Sequence, residues 1–199
     1  MRQKPPPPPL LRAVASRPGV TEFQLEPLAN RRYTGWLALL ASVAEWIFAD
    51  GPLCVAAPAE AGHVWDRNLN EIMPRAERVT IGRYLYWLGY APRATPDLLH
   101  TLIDSDALYL SPFWLFQASE AEAGVVSDIL LKIVSAEPDA WGLSPVTAFR
   151  TNPDGDAAEF CSRRFSPSQI DEFLAAQAAR NGWRFATAPR DSARPVKGR

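Results

Sequence analysis

Residues 80–90, TIGRYLYWLGY, decide what the rest of the chain can build. Wound at 100° per residue, Ile81, Tyr84, Leu85 and Leu88 fall on one side as an ordinary core stripe. Arg83, Tyr86, Trp87 and Tyr90 fall on the other, spaced i, i+3, i+4, i+7. On this reading the segment is a helix, with Thr80 as its N-cap and Gly89 as its left-handed C-terminal residue. A helix that only closes a core would carry Lys, Glu or Ala on its outer face. Arg83, Tyr86, Trp87 and Tyr90 are therefore the candidate partner-binding residues. The competing reading is structural: the aromatic stretch 109–116 roofs these rings, and Arg83 stacks on Trp87 as a cation–π pair. If Gly89 ends the helix, Tyr90 leaves the stripe and the outer face shrinks to Arg83, Tyr86 and Trp87.

Outward from this segment, helices and strands alternate without a regular βαβ repeat. Residues 21–25 read as a short strand, with Phe23 and Leu25 on one face. Asn30 caps a helix over 31–49, whose core stripe is Trp36, Leu40, Val43 and Ile47 and which Asp50-Gly51-Pro52 stops. Residues 53–57 form an apolar strand, and 63–73 a helix broken by Pro74. Thr95-Pro96-Asp97 opens a short helix ending near Asp104. Residues 107–117 read as strand interrupted at Pro112. Ser119 and Glu122 form a capping box before Val126, Ile129, Leu130 and Ile133. Strands at 146–150 and 158–165 flank the turn 152–156 as a hairpin. Ser166, Pro167 and Gln169 open a helix that Asn181-Gly182 closes, and 183–186 supplies a last strand.

The expected fold is α+β: about five helices packed on a small, mostly antiparallel sheet, in one domain over residues 20–188. Residues 1–19 are expected to be a disordered Pro-rich tail, and 189–199 a disordered basic one. The run 5–9 is five prolines, which favours the extended polyproline II rod, able to dock on an aromatic groove or to act as a stiff spacer.

Composition bounds the function. The 199 residues include 47% hydrophobic ones, with seven Trp, nine Phe and five Tyr, enough for a substantial core. A net charge of -1 gives no global pull toward nucleic acid or anionic membrane. Lysine occurs only at Lys4, Lys132 and Lys197, and this excess of arginine together with heavy alanine use points to a GC-rich bacterial genome. No apolar stretch precedes the prolines to make a secretory signal. The longest apolar run, 36–49, is interrupted by Ser42 and Glu45 and falls short of the ~20 residues that span a bilayer. Cys54 and Cys161 make no disulfide framework, which fits a reduced, cytoplasmic setting.

Catalytic signatures are missing. There is no GxGxxG or GxxxxGK[ST] loop to cradle phosphate, and Gly142-Leu143-Ser144-Pro145 lacks the second glycine of a nucleophile elbow. His63 and His100 stand far apart, and His63 with Asp66 reads first as a surface helical pair. Nothing local activates either thiol; Cys161, beside Arg163 and Arg164, is the better candidate for a reactive one, and reads otherwise as a half-buried strand cysteine. Asp104 and Asp106 read as a solvated cap, and 152–156 lacks the ligand spacing of a calcium loop. No cofactor and no metal is expected.

The chain thus reads as a non-catalytic accessory, regulatory or antitoxin-like protein that binds a protein partner. Trp and Tyr, favoured at interface hot spots, carry that reading. One alternative is a nucleic-acid-associated factor using the Arg/aromatic helix face, where guanidinium groups neutralise phosphate and rings stack on bases. The other is an enzyme with catalytic residues scattered in sequence, using Cys161, His100 or the acids near Asp104.

Overall fold

Residues 80–90 are not helical. In a computed structural model of the chain they span the end of strand β4 (Glu77–Ile81), a turn, and strand β5 (Tyr84–Ala91). Ile81 and Tyr84 are cross-strand partners, so the connection is a two-residue hairpin loop. Gly82 takes the positive φ of 61° that such loops demand. The structure describes residues 7–17, 19–26, 34–48, 52–58, 73, 75–82, 84–103, 113–117, 131, 147–151, 157–162 and 164–187.

The expectation of about five helices on a small sheet is overturned with it. The strands form one nine-stranded mixed sheet, and the described residues include three longer helices. Its other strands are β1 (Leu10–Arg17), β2 (Val20–Glu26), β3 (Leu53–Pro58), β6 (Trp114–Gln117), β7 (Ala148–Thr151), β8 (Ala157–Cys161) and β9 (Arg184–Thr187). Their spatial order is β4-β5-β3-β6-β7-β8-β2-β1-β9. Every neighbouring pair is antiparallel except β1 and β9, which run parallel. The expected tail over 1–19 is overturned in part: Leu10–Arg17 is the strand that joins β2 to β9.

The helices are α1 (Thr34–Ile47), α2 (Pro96–Ile103) and α3 (Pro167–Arg180). All three bury their apolar sides in one core cluster on the same face of the sheet. Trp36, Leu40, Val43 and Ile47, the stripe expected of α1, are each fully buried there. They meet Leu11, Phe23, Val55, Leu115, Phe149 and Phe160 from the strands. Phe23 touches Trp36 at 5.6 Å between ring centroids and Phe160 at 6.1 Å, which ties α1 to the middle of the sheet. At the far end of α1, Trp46 is sandwiched between Phe165 at 3.9 Å and Phe173 at 4.2 Å, locking α1 to α3.

Helix ends follow the local chemistry. Ser166 Oγ accepts from the Gln169 N–H and Gln169 Oε1 accepts from the Ser166 N–H, a complete capping box with Pro167 behind it. Gly182, at φ 69°, turns the chain out of α3 while the Trp183 N–H reaches back to the Ala178 carbonyl. Thr95 Oγ1 accepts from the Leu98 N–H at the start of α2. The helices expected over 63–73 and 119–137 lie outside the described residues, apart from Met73 and Leu131.

Gly89 is a mid-strand residue and not a helix cap. A Cβ there would stand 2.9 Å from Met73 Sδ, 3.0 Å from Ala76 Cβ and 3.2 Å from Met73 Cβ. Its bare backbone lets the chain at 73–76 cross β5 at close range. Gly89→Ala is expected to destabilise the fold by about 1–3 kcal/mol through overpacking, read as a lower urea midpoint with an unchanged m-value.

Candidate functional site

Strand geometry redistributes the four predicted site residues. Successive side chains point to opposite faces, so Tyr86 and Tyr90 share one face and Trp87 the other. Trp87, 8% exposed, joins the helix-side core, and the Arg78 guanidinium lies 4.6 Å from its ring centroid. Among the described residues the cation over this ring is Arg78, its cross-strand partner. Arg83 lies outside the described residues. Tyr86 is 3% exposed and belongs to a second cluster, on the face away from the helices, with Trp114 and Phe116. Of the 109–116 stretch expected to roof these rings, Trp114 and Phe116 are in the same sheet as Tyr86, two strands away, and 109–112 lie outside the described residues. Tyr90 is 57% exposed on that same face.

Cross-strand register lays this second face out in rows. One row runs Tyr90, Cys54, Phe116, Ala148, Cys161, Val20. The next runs Leu88, Ala56, Trp114, Arg150, Glu159, Glu22. On β5, β3 and β6 both rows are apolar and, Tyr90 apart, largely buried, with Trp114 and Phe116 stacked at 6.0 Å. Across β7, β8 and β2 the first row stays apolar through Ala148, Cys161 and Val20, and the second becomes charged at Arg150, Glu159 and Glu22.

Within the charged row, Arg150 is the seam. Its Nε and Nη2 donate to Glu159 Oε2 at 2.7 and 2.5 Å, and its guanidinium lies 4.8 Å from the Trp114 ring centroid. Both partners of this pair are largely buried, at 17% and 11% side-chain exposure. Further out, Arg12 and Glu26 form a two-pronged pair at 3.0 and 3.1 Å, and Gln24 Nε2 donates to the same carboxylate at 2.9 Å. The hydrogen bond from Arg12 holds the Glu26 carboxyl below the usual range, and the same bond raises Arg12. Both side chains are about 40% exposed, and pairing at such a site orders the strand surface more than it stabilises it.

Neither cysteine is poised for chemistry. Burial pushes the Cys54 thiol up to about 11, and Cys161 is buried in the same cluster. Three strand steps separate them along their row, roughly 14 Å at ~4.8 Å per step, twice the Cα separation a disulfide tolerates. His63, the acids Asp104 and Asp106, and the turn 152–156 lie outside the described residues. Among the described residues no group of three or more His, Cys, Asp or Glu could hold a metal ion. Gln117 is buried at the end of β6, on the helix side, and neither its Oε1 nor its Nε2 has a hydrogen-bond partner among the described residues.

Reasoning from sequence missed the Arg150–Glu159 pair because the two residues belong to different predicted strands of unknown register. The signal was present: a charge in each arm of the expected hairpin around 152–156. No family model, curated protein or solved structure matches the chain.

Two measurements check this layout. Glu159→Ala removes the acceptor of both guanidinium bonds from a largely buried arginine, with an expected loss of about 3 kcal/mol in urea unfolding. The native protein is expected to leave both thiols unreacted with a disulfide reagent at pH 8, and to release two equivalents per chain only in denaturant.

Proposed function

We propose that the protein is a non-catalytic accessory, regulatory or antitoxin-like factor that works in the cytoplasm by binding a protein partner, with Tyr90 at the contact. The observation that carries this reading is the exposure of Tyr90, the one described member of the four predicted site residues that faces solvent. The register of β4 against β5 ends at Glu77↔Leu88, so Gly89, Tyr90 and Ala91 run on past the edge strand. The Tyr90 ring stands beyond that end, on the sheet face opposite the helices, with exposed Pro92 and Arg93 following it. A tyrosine buries a large ring at little entropic cost and still satisfies its hydroxyl, which is why such residues dominate interface energetics.

The helical Arg/aromatic face invoked for nucleic acid is absent, because the residues that would form it alternate across a strand. No helix among the described residues is long and apolar enough to cross a membrane, which is compatible with a partner in solution.

The test compares tagged wild-type chain with Tyr90→Ala after nuclease treatment of the lysate. The expected result is loss of a defined co-purifying protein from Tyr90→Ala, with the melting temperature within about 2 °C of wild type. An unchanged set of captured proteins overturns the assignment, and capture that vanishes on nuclease treatment alone points to nucleic acid.

A further inference from the structure

Most of the described arginine side chains are already engaged within the chain. Arg12 pairs with Glu26 and Arg150 with Glu159, Arg78 lies over Trp87 and Arg164 over Phe165, and Arg184 donates to the Pro8 carbonyl. The side chains of Arg75, Arg93 and Arg180 make no hydrogen bond, ion pair or ring contact among the described residues. All three are exposed.

Two of these three flank Tyr90. Arg93 follows it along the chain, just past exposed Pro92. Arg75 is brought to it by the register. The β4–β5 ladder ends at Glu77↔Leu88, so Arg75 and Tyr90 each stand two residues beyond that pair, at the same level of the edge. Ala76 sits at the matching level, since a Cβ built on Gly89 would lie 3.0 Å from the Ala76 Cβ. Glu77 is the one acid among the described residues from Arg75 to Arg93.

We propose that Tyr90, Arg75 and Arg93 form a surface for an acidic segment of a partner protein. Its carboxylates pair with the two guanidinium groups while an apolar side chain packs on the Tyr90 ring. The inference rests on the Tyr90 contact proposed above and adds the chemistry of the partner. Charge complementarity selects that chemistry. A basic segment would be repelled, and a neutral one would desolvate two cations without supplying an acceptor. A guanidinium presents five donors in a planar fork that matches a carboxylate, and arginine and tyrosine are the residue types enriched where interface energy concentrates.

The probe is a fluorescently labelled, Glu-rich random copolymer of Glu and Tyr, titrated with the purified full chain at about 50 mM salt. A Lys-rich copolymer of Lys and Tyr and a short oligouridylate serve as comparisons. Micromolar binding of the Glu–Tyr copolymer is expected, weakened at least about tenfold at about 500 mM salt. Arg75→Ala with Arg93→Ala is expected to weaken it about tenfold at an unchanged melting temperature, and Tyr90→Ala at least about threefold. Arg180→Glu alters the net charge by the same amount as the double substitution and is expected to leave binding within about twofold. No binding of the Glu–Tyr copolymer, equal binding of the Lys–Tyr copolymer or tighter binding of the oligouridylate overturns an acidic protein partner. So does a loss on Arg180→Glu as large as that on the double substitution, which would report net charge alone. If Tyr90→Ala weakens binding and the double substitution does not, the acidic partner is overturned while the Tyr90 contact stands. The reverse result keeps the acidic ligand on the arginines and overturns the Tyr90 contact.

Discussion

A strand buried on both faces has no solvent side on which to place polar residues, and the centre of this sheet is made of such strands. In β3, Leu53, Val55 and Ala57 face the helices while Cys54 and Ala56 join the opposite cluster, and all five are buried. In β6, Leu115 packs toward the helices while Trp114 and Phe116 pack away from them. These strands read as continuous apolar runs without alternation. Two-sided burial makes the sheet the organising layer of the molecule. The helices take their positions from it, and the aromatic contacts of Trp36 and Trp46 fix them there.

Character changes across the sheet on its helix-free face, from rings at β5 and β6 to the charged row at β7, β8 and β2. Arg150 stands at the boundary and belongs to both regions, with its guanidinium over Trp114 and its hydrogen bonds to Glu159. Planar and weakly hydrated, an arginine can satisfy a ring and a carboxylate together, a role that lysine's compact ammonium would not fill. The two edges of the sheet differ as well. At one, β4 stops short and leaves the end of β5 with Tyr90 exposed. At the other, β9 is joined by its first residue to the proline run.

Several elements were legible because their signals are local. The α1 stripe, the capping box of α3, the Thr95 cap of α2 and the strands at β2, β3 and β9 each depend on residues within a turn or two of one another. The misreading of 80–90 has an equally physical origin. Both faces of β5 carry large apolar residues, so the segment has no clean period of two, and an i, i+3, i+4, i+7 pattern can be found in it by chance. Its wealth of Tyr, Trp and Ile and the placement of Gly82 were the better guides, since aromatics favour strands and a positive φ suits a hairpin turn. Residues 10–17 were lost to the same limit. The strand LLRAVASR lies beside a proline run whose composition suggests disorder, yet it is paired along both edges.

From sequence alone came the local grammar: where α2 and α3 begin, which residues of α1 face inward, and that two cysteines make no framework. Tertiary structure decided which strands are neighbours, and through that register it decided everything about the surface. It set Tyr86 and Trp87 into opposite cores, left Tyr90 outside, placed Glu159 against Arg150 and held Cys54 three strands from Cys161. A period of two makes each of these outcomes depend on strand identity and register. Register is fixed by contacts between residues that the chain separates widely, so it is not written in any one segment.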